Sequence, residues 1–362
     1  MANGMEREAT RVPQVSNTGC GTGFNRGRRS RRRHPRRRTQ PAPAYAAIDL
    51  GTNNCRLLVA RPCGDGFKVI DGFSRIVRLG EGLAASGRLA DAAIERAIAA
   101  LTVCAEKMRA REVKASRSIA TEACRRAGNG RDFCRRVKDE TGLALEAITP
   151  TEEASLTIAG CAPHLNSGQP RSLLFDIGGG STEVMWIDTR PGTPPKAIEI
   201  LSLPYGVVGL AEEYGGDVLP ADVFDRIVAR VAETLAPFEQ RHHIAGEIAR
   251  GAVHVLGTSG TVTTLGAIYL GLSRYDRSRV DGLTMRIGRV NEICGELRAL
   301  DFDARHRHPC IGPGRADLMV MGCAVFAAIC RCWPTQYLTA ADRGIREGML
   351  LAMMAADGVL PL

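Results

Sequence analysis

The sequence predicts an α/β protein of two similar domains with mixed sheets flanking a central cleft. Three observations predict it. Strand-like and helix-like stretches alternate from about Tyr45 onward. The order of elements begins again after residue 165. Ile48-Asp49-Leu50-Gly51 can also be laid over Phe175-Asp176-Ile177-Gly178, 127 residues further on. At 362 residues the chain is long enough for two cores. The expected division is a basic tail over 1–44, a first domain over 45–165 and a second over 166–362.

The elements follow in order. "YAAIDLGTNNCRLLVA" (45–60) reads as a strand, a polar turn and a second strand. "GFKVIDGFSRIVRLG" (66–80) is a third strand with its exit. Apolar positions Ile94, Ala97, Ile98, Leu101, Cys104 and Met108 share one helical face. A strand around Ser118–Ala120, a helix near Asp132–Glu140 and a strand at Leu143–Ile148 come next. A helix then starts near Pro150. In the second half, "SLLFDIGGGSTEVMWID" (172–188) repeats the strand, turn, strand pattern. A strand near Ile198–Leu203 and a helix over Ala221–Glu239 follow. "AVHVLGTSGTVTTLGAI" (252–268) is a strand that enters a loop and then a helix. "LMVMGCAVFAAIC" (318–330) is 13 residues long, too short to span a bilayer, and reads as a buried helix.

The net charge of +9 is unevenly spread. Residues 1–44 hold 11 of the 48 basic and 2 of the 39 acidic residues, so the rest of the chain is neutral overall. The tail, with "RGRRSRRRHPRRRTQPAPA", has too few apolar groups to offset its ordering entropy and reads as disordered. It offers an electrostatic arm for a polyanion. No apolar run follows the arginines, which excludes a signal peptide of the usual pattern. The 12 cysteines contain no C-x-x-C and suit free thiols in a reducing cytoplasm.

Three loops share one chemistry: "DLGTNN" (49–54), "DIGGGST" (176–182) and "LGTSGT" (256–261). Glycine lets backbone N–H groups turn toward an anion, and hydroxyls and amides add donors. Gly51, Thr52, Asn53 and Asn54 are therefore expected to bind phosphate. So are Gly178, Gly179, Gly180, Ser181 and Thr182, and also Gly257, Thr258, Ser259 and Gly260. The third loop opens a helix, whose N-terminus favours a phosphate. Asp49 and Asp176 stand where a strand meets its glycine turn, and Glu183 lies on the returning strand. Carboxylates facing phosphate suit Mg²⁺ or another divalent cation.

"ITPTEEASLTIAG" (148–160) separates two adjacent glutamates by role. Thr149 is a good N-cap, Pro150 suits the first helical position, and Glu152 completes a capping box by reaching back to the cap. Glu153 is left over, about 100° round the helix. A carboxylate free of capping duty, just before the second loop, is a candidate general base for water.

These segments resemble the exopolyphosphatase / guanosine pentaphosphate phosphatase family, whose fold is that of actin, the heat-shock ATPases and sugar kinases. Further matches are "RLGEGL" (78–83), "ATEACRRAGN" (120–129), "LPYGVVGL" (203–210), "GRAD" (314–317) and "GIREGML" (344–350). The resemblance implies two actin-like (ribonuclease-H-like) domains and a metal-dependent phosphatase that removes the terminal phosphate of a polyanionic chain. It implies Glu153 as the base, Asp176 and Glu183 in metal binding and catalysis, and Arg125 at the substrate. Arg56 is a further phosphate contact. The implied substrate is polyphosphate or pppGpp, and the implied state is a cytoplasmic homodimer without membrane contact. Actin-like ATPases and sugar kinases share the glycine loops, but the Glu152-Glu153 pair with "DIGGGSTE" favours the phosphatase.

Overall fold

The computed structural model describes residues 42–312 and 314–360. The basic tail and its expected polyanion contact lie, up to position 41, outside the described residues. Two mixed sheets are present within one compact unit that begins at Ala42. In the first, β1 (Ala44–Leu50), β2 (Asn54–Cys63) and β3 (Gly66–Ile76) form an antiparallel meander. β4 (Val113–Ala120) adds parallel to β1, and β5 (Leu145–Ala147) parallel to β4. The order is β3-β2-β1-β4-β5.

The second sheet repeats that plan. β6 (Arg171–Ile177), β7 (Thr182–Asp188) and β8 (Lys196–Leu203) are the meander. β9 (Val253–Thr258) adds parallel to β6. Beyond it lie β10 (Leu283–Arg286) and β11 (Tyr337–Ala341), with β11 parallel to β9 and β10 an antiparallel edge. The order is β8-β7-β6-β9-β11-β10. The repeat inferred from sequence is thus a repeat of topology.

Both central strands are buried on two faces, and alternation decides which core each side chain joins. On β1, Ala46, Ile48 and Leu50 face one cluster, while Tyr45 and Ala47 face another. On β6, Leu173, Phe175 and Ile177 face one side, and Leu174 the other. The outer face of the first sheet is covered by the helix Asp91–Ala110, through Ile94, Ala97, Ile98, Leu101 and Cys104. The outer face of the second is covered by the helices Ala221–His242 and Met319–Cys332. Each large apolar side chain so buried contributes about 1.5–3 kcal/mol.

The inner faces exchange helices. The helix Pro150–Leu165 packs Ala154, Ile158 and Cys161 against Leu174, Met185 and Leu256 of the second sheet. The last helix, Ile345–Ala356, returns to the first sheet and packs Met349, Leu350 and Met354 on Tyr45, Ala47 and Leu58. The division by chain order at residue 165 is therefore crossed twice. Where these two helices meet, a Cβ on Gly160 would lie 1.9 Å from the Gly344 carbonyl oxygen, and one on Gly348 2.0 Å from that of Leu156. Only glycine permits so close an approach. No helix among the described residues is long and apolar enough to cross a membrane.

Candidate active site

The two meanders deliver the first two loops to one cleft. Each turn is closed by the same bond, from Gly51 N to Asn54 O (2.9 Å) and from Gly178 N to Ser181 O (3.0 Å). Strand pairing sets Asp49 opposite Arg56, and Asp176 opposite Glu183. Opposed residues share a sheet face, and all four line a cleft of about 660 Å³. The third loop arrives beside them. Ser259, which lines the cleft, holds φ 75°, a left-handed conformation that is uncommon for a non-glycine residue. It opens the helix Ser259–Tyr269, which no side chain caps, so its first N–H groups are available to an anion. Thr258 anchors the loop from behind, its hydroxyl lying 2.9 Å from the Ala341 carbonyl and 2.8 Å from that of Arg343.

The nearest neighbours of the three glycines are protein groups. A Cβ on Gly179 would lie 3.2 Å from Asn53 N, and one on Gly180 2.4 Å from Thr52 Oγ1. A Cβ on Gly178 would lie 2.9 Å from the Ser181 carbonyl oxygen. The glycines thus let the first loop close against the second, and all three still line the cleft. Thr52 Oγ1 and Asn53 Oδ1 are buried there without a hydrogen-bond partner. Each such group costs about 1–3 kcal/mol until something bonds to it.

Glu153 enters the cleft from the helix start. Thr149 Oγ1 accepts from Glu152 N at 3.2 Å, as an N-cap should. The expected capping box is only half formed, because the Glu152 carboxylate turns to Arg117 instead. An ion pair to a guanidinium outcompetes a neutral N–H for a charged acceptor. Glu153 Oε2 accepts from Arg125 Nη1 at 2.7 Å, and Arg125 is itself held by Glu122 (2.9 Å) and the Ile148 carbonyl (2.8 Å). Burial, then the Glu183 carboxylate, pushes the pKa of Glu153 up to about 8 against the pull of Arg125. Burial and then Asp176 push Glu183 up to about 7, opposed by hydrogen bonds from Ser181 and Ser202. Burial raises Asp176 to about 6, opposed by Ser259, and also raises Asp49.

Most residues expected at the site line this cleft: Asp49, Gly51, Thr52, Asn53, Asn54 and Arg56, with Glu153, Asp176, Gly178, Gly179, Gly180, Ser181, Glu183, Thr258 and Ser259. Four do not. Arg125 lies behind Glu153 and orients it. Thr182 donates to the Tyr205 carbonyl at 2.6 Å. Gly257 is packed under Phe175, and Gly260 faces the Arg315 guanidinium. The cleft also holds charged residues that sequence reasoning left without a role: Glu122, Arg277, Arg315, Asp342, Arg343, Arg346 and Glu347. Arg315 and Arg346 lie in "GRAD" and "GIREGML", so a signal was present. Burial lowers the pKa of both.

Among the described residues, no three His, Cys, Asp or Glu side chains are grouped to hold a metal ion by themselves. Mg²⁺ takes one or two carboxylates and completes its shell with water and substrate oxygens. The donor chemistry fits. The Asp176 charge raises the cost of ionising Glu183, and a hard cation would relieve it.

A family model described as the Ppx/GppA phosphatase family matches residues 58–357. Among solved structures, the chain resembles the Aquifex aeolicus member of the Ppx/GppA protein family at 28% identity and a TM-score of 0.70, over 88% of this chain and 99% of that one. An exopolyphosphatase-like protein matches at 28% identity and a TM-score of 0.78, over 87% and 98%. An exopolyphosphatase from Cytophaga hutchinsonii, at 22% identity and a TM-score of 0.77 over 87% and 98%, shares the fold.

Proposed function

The chain belongs to the Ppx/GppA phosphatase family, and from that premise we propose that it hydrolyses the terminal phosphoanhydride bond of inorganic polyphosphate. The observation that carries this reading is Glu153: a buried carboxylate, free of capping duty, held by Arg125 in a cleft lined by all three glycine-bearing loops. Arg125 occupies Oε2, which leaves Oε1 to a water. That water attacks the terminal phosphorus and Glu153 takes its proton. The bridging P–O bond breaks, and the shortened chain leaves with the electron pair. Loop N–H groups, the helix start at Ser259 and Arg56 hold phosphate oxygens and stabilise charge there. Asp176 and Glu183 would hold the divalent cation, which neutralises charge on the phosphates when bound; Asp49, expected as a further ligand, stands opposite Arg56.

Arg277, Arg315 and Arg346 continue the cleft with the sign a longer polyanion needs. A second reading is hydrolysis of pppGpp by the same groups. It is favoured by Tyr275, Ile76, Pro309 and Ile311, which give the cleft surface suited to a nucleoside. The reading places the protein in the cytoplasm as a homodimer, with its cysteines reduced; all eleven among the described residues are free. The test is phosphate release from long polyphosphate, short polyphosphate, pppGpp and ATP, with and without Mg²⁺. Polyphosphate is expected to turn over fastest, and only with the cation. Faster pppGpp turnover selects the second reading, and preference for ATP overturns both.

A further inference from the structure

Two matched segments without an assigned task, "RLGEGL" and "GRAD", meet behind the glycine turns. Arg78 Nη2 lies 2.9 Å from Asp317 Oδ2. Four residues on, Gly82 N donates to Glu212 Oε1 at 2.8 Å. Both contacts join the first sheet's side of the cleft to the second's, and all of these residues except Gly82 line a crevice of about 230 Å³ with Asn53.

The segments they join are bonded to the turns themselves. Val77 N and Arg78 N donate to the Asn53 carbonyl at 2.9 and 3.1 Å, and Gly80 N to that of Thr52 at 3.0 Å. Across the cleft, Val207 N and Val208 N donate to the carbonyls of Gly178 and Gly179 at 3.0 and 2.9 Å. The helix they begin, Val207–Tyr214, carries Glu212. Gly82-Leu83 and Gly209-Leu210 stand 127 residues apart, the offset of the two turns. Each turn thus has a brace, and the braces are tied together.

The tie is built under constraint. Arg78 holds φ 46°, a left-handed conformation that bulky residues rarely adopt. Asp317 is seated so closely on Gly216 that a Cβ there would lie 2.6 Å away. Gly314 is pressed on Ile76 of β3, and Arg315, between Gly314 and Asp317, lines the cleft and donates to the buried Thr264 Oγ1 at 3.1 Å. We propose that Arg78, Asp317 and Glu212 are positioning residues that hold the two glycine turns, and Arg315, at the spacing the phosphate chain requires, without touching it. This rests on the reading of the site as a phosphoanhydride hydrolase.

The test uses the full chain with Arg78→Gln, Asp317→Asn, both together, Arg78→Lys and Glu212→Ala. Arg78→Gln and Asp317→Asn should each raise KM for polyphosphate about twofold to fivefold, the range of a half-exposed ion pair. In both, kcat should stay within about twofold of wild type, since Glu153 is untouched. The double variant should be no worse than either single one, because both remove one interaction. Arg78→Lys should recover most of the affinity, and Glu212→Ala should shift KM in the same direction. Amide hydrogen exchange of peptides covering 50–54 and 177–181 should quicken in the single variants, with the global melting temperature nearly unchanged. Unaltered KM and exchange, or additive effects in the double variant, overturn the inference. If wild-type protein releases no phosphate from polyphosphate or pppGpp, the proposed function fails, and the exchange comparison still decides the tie.

Discussion

The two meanders share one backbone plan and place opposite chemistry on it. In the first, Asp49 faces a guanidinium, Arg56; in the second, Asp176 faces another carboxylate, Glu183. Charge is balanced within the first hairpin. In the second, burial pushes both carboxylates toward neutrality, and the Asp176 charge adds to this at Glu183. One scaffold therefore carries an acid paired with a base in one hairpin and two facing acids in the other. Glu153 joins them. Its helix comes from the first half of the chain, packs on the second sheet, and is gripped by Arg125 from the first.

The largest break in that comparison is Glu153→Gln. It keeps the shape and the Arg125 contact but removes the base, so phosphate release should fall by a factor of about 10²–10⁴ while the far-UV spectrum is unchanged. Near-wild-type turnover would remove Glu153 from the mechanism. A smaller effect sharpens the contrast between the hairpins. Glu183→Gln should raise the Mg²⁺ concentration for half-maximal rate about tenfold, and Arg56→Gln should raise KM for polyphosphate instead. If both variants change the same parameter, the division of labour is wrong.

The hairpins were legible because their signals are local: a short apolar run, an acid at the strand end, glycine in the turn. Glu153 was legible because Thr149 and Pro150 fix the helix register, and so the residue left over. Glu152 was misread in part because Arg117, its partner, lies 35 positions away in sequence. Arg277 was illegible for the same reason. It sits on a four-residue helix, and its place is set by Glu347 (2.6 Å), 70 positions on, and by the Asp342 carbonyl (3.0 Å), 65 positions on. β10 and β11, at four and five residues, are too short for periodicity to declare them. The apolar pattern of Ile345–Ala356 is plain, but its destination on the first sheet is a long-range contact that no local pattern encodes.

The acid-rich half also makes a stability prediction. Glu153, Glu183 and Asp176 hold protons in the folded state at pH values where the unfolded chain has released them. The stability they contribute is full below the ordinary carboxylate range and is lost as pH rises through about 6 to 8. Without divalent cation, the melting temperature of Glu153→Gln should therefore exceed that of wild type at pH 8 by about 2 °C or more, and match it near pH 4. Saturating Mg²⁺ should shrink the gap, since a cation lets the carboxylates ionise without cost. A constant gap from pH 4 to 8 would mean that Glu153 is not held protonated by its surroundings.

The smallest effect asks how much of the attraction for polyanions belongs to the first hairpin. Residues 1–41 carry 11 basic and 2 acidic side chains ahead of a neutral body. Removing them should leave kcat and KM for short polyphosphate unchanged, because Arg56 and the glycine loops remain. On long chains KM should rise about threefold at low salt, and the difference should vanish above about 0.3 M salt, where the screening length falls well below 10 Å. An equal loss on short and long substrates would mean that the tail reaches the cleft itself and adds to the charge that Arg56 and the other cleft arginines supply.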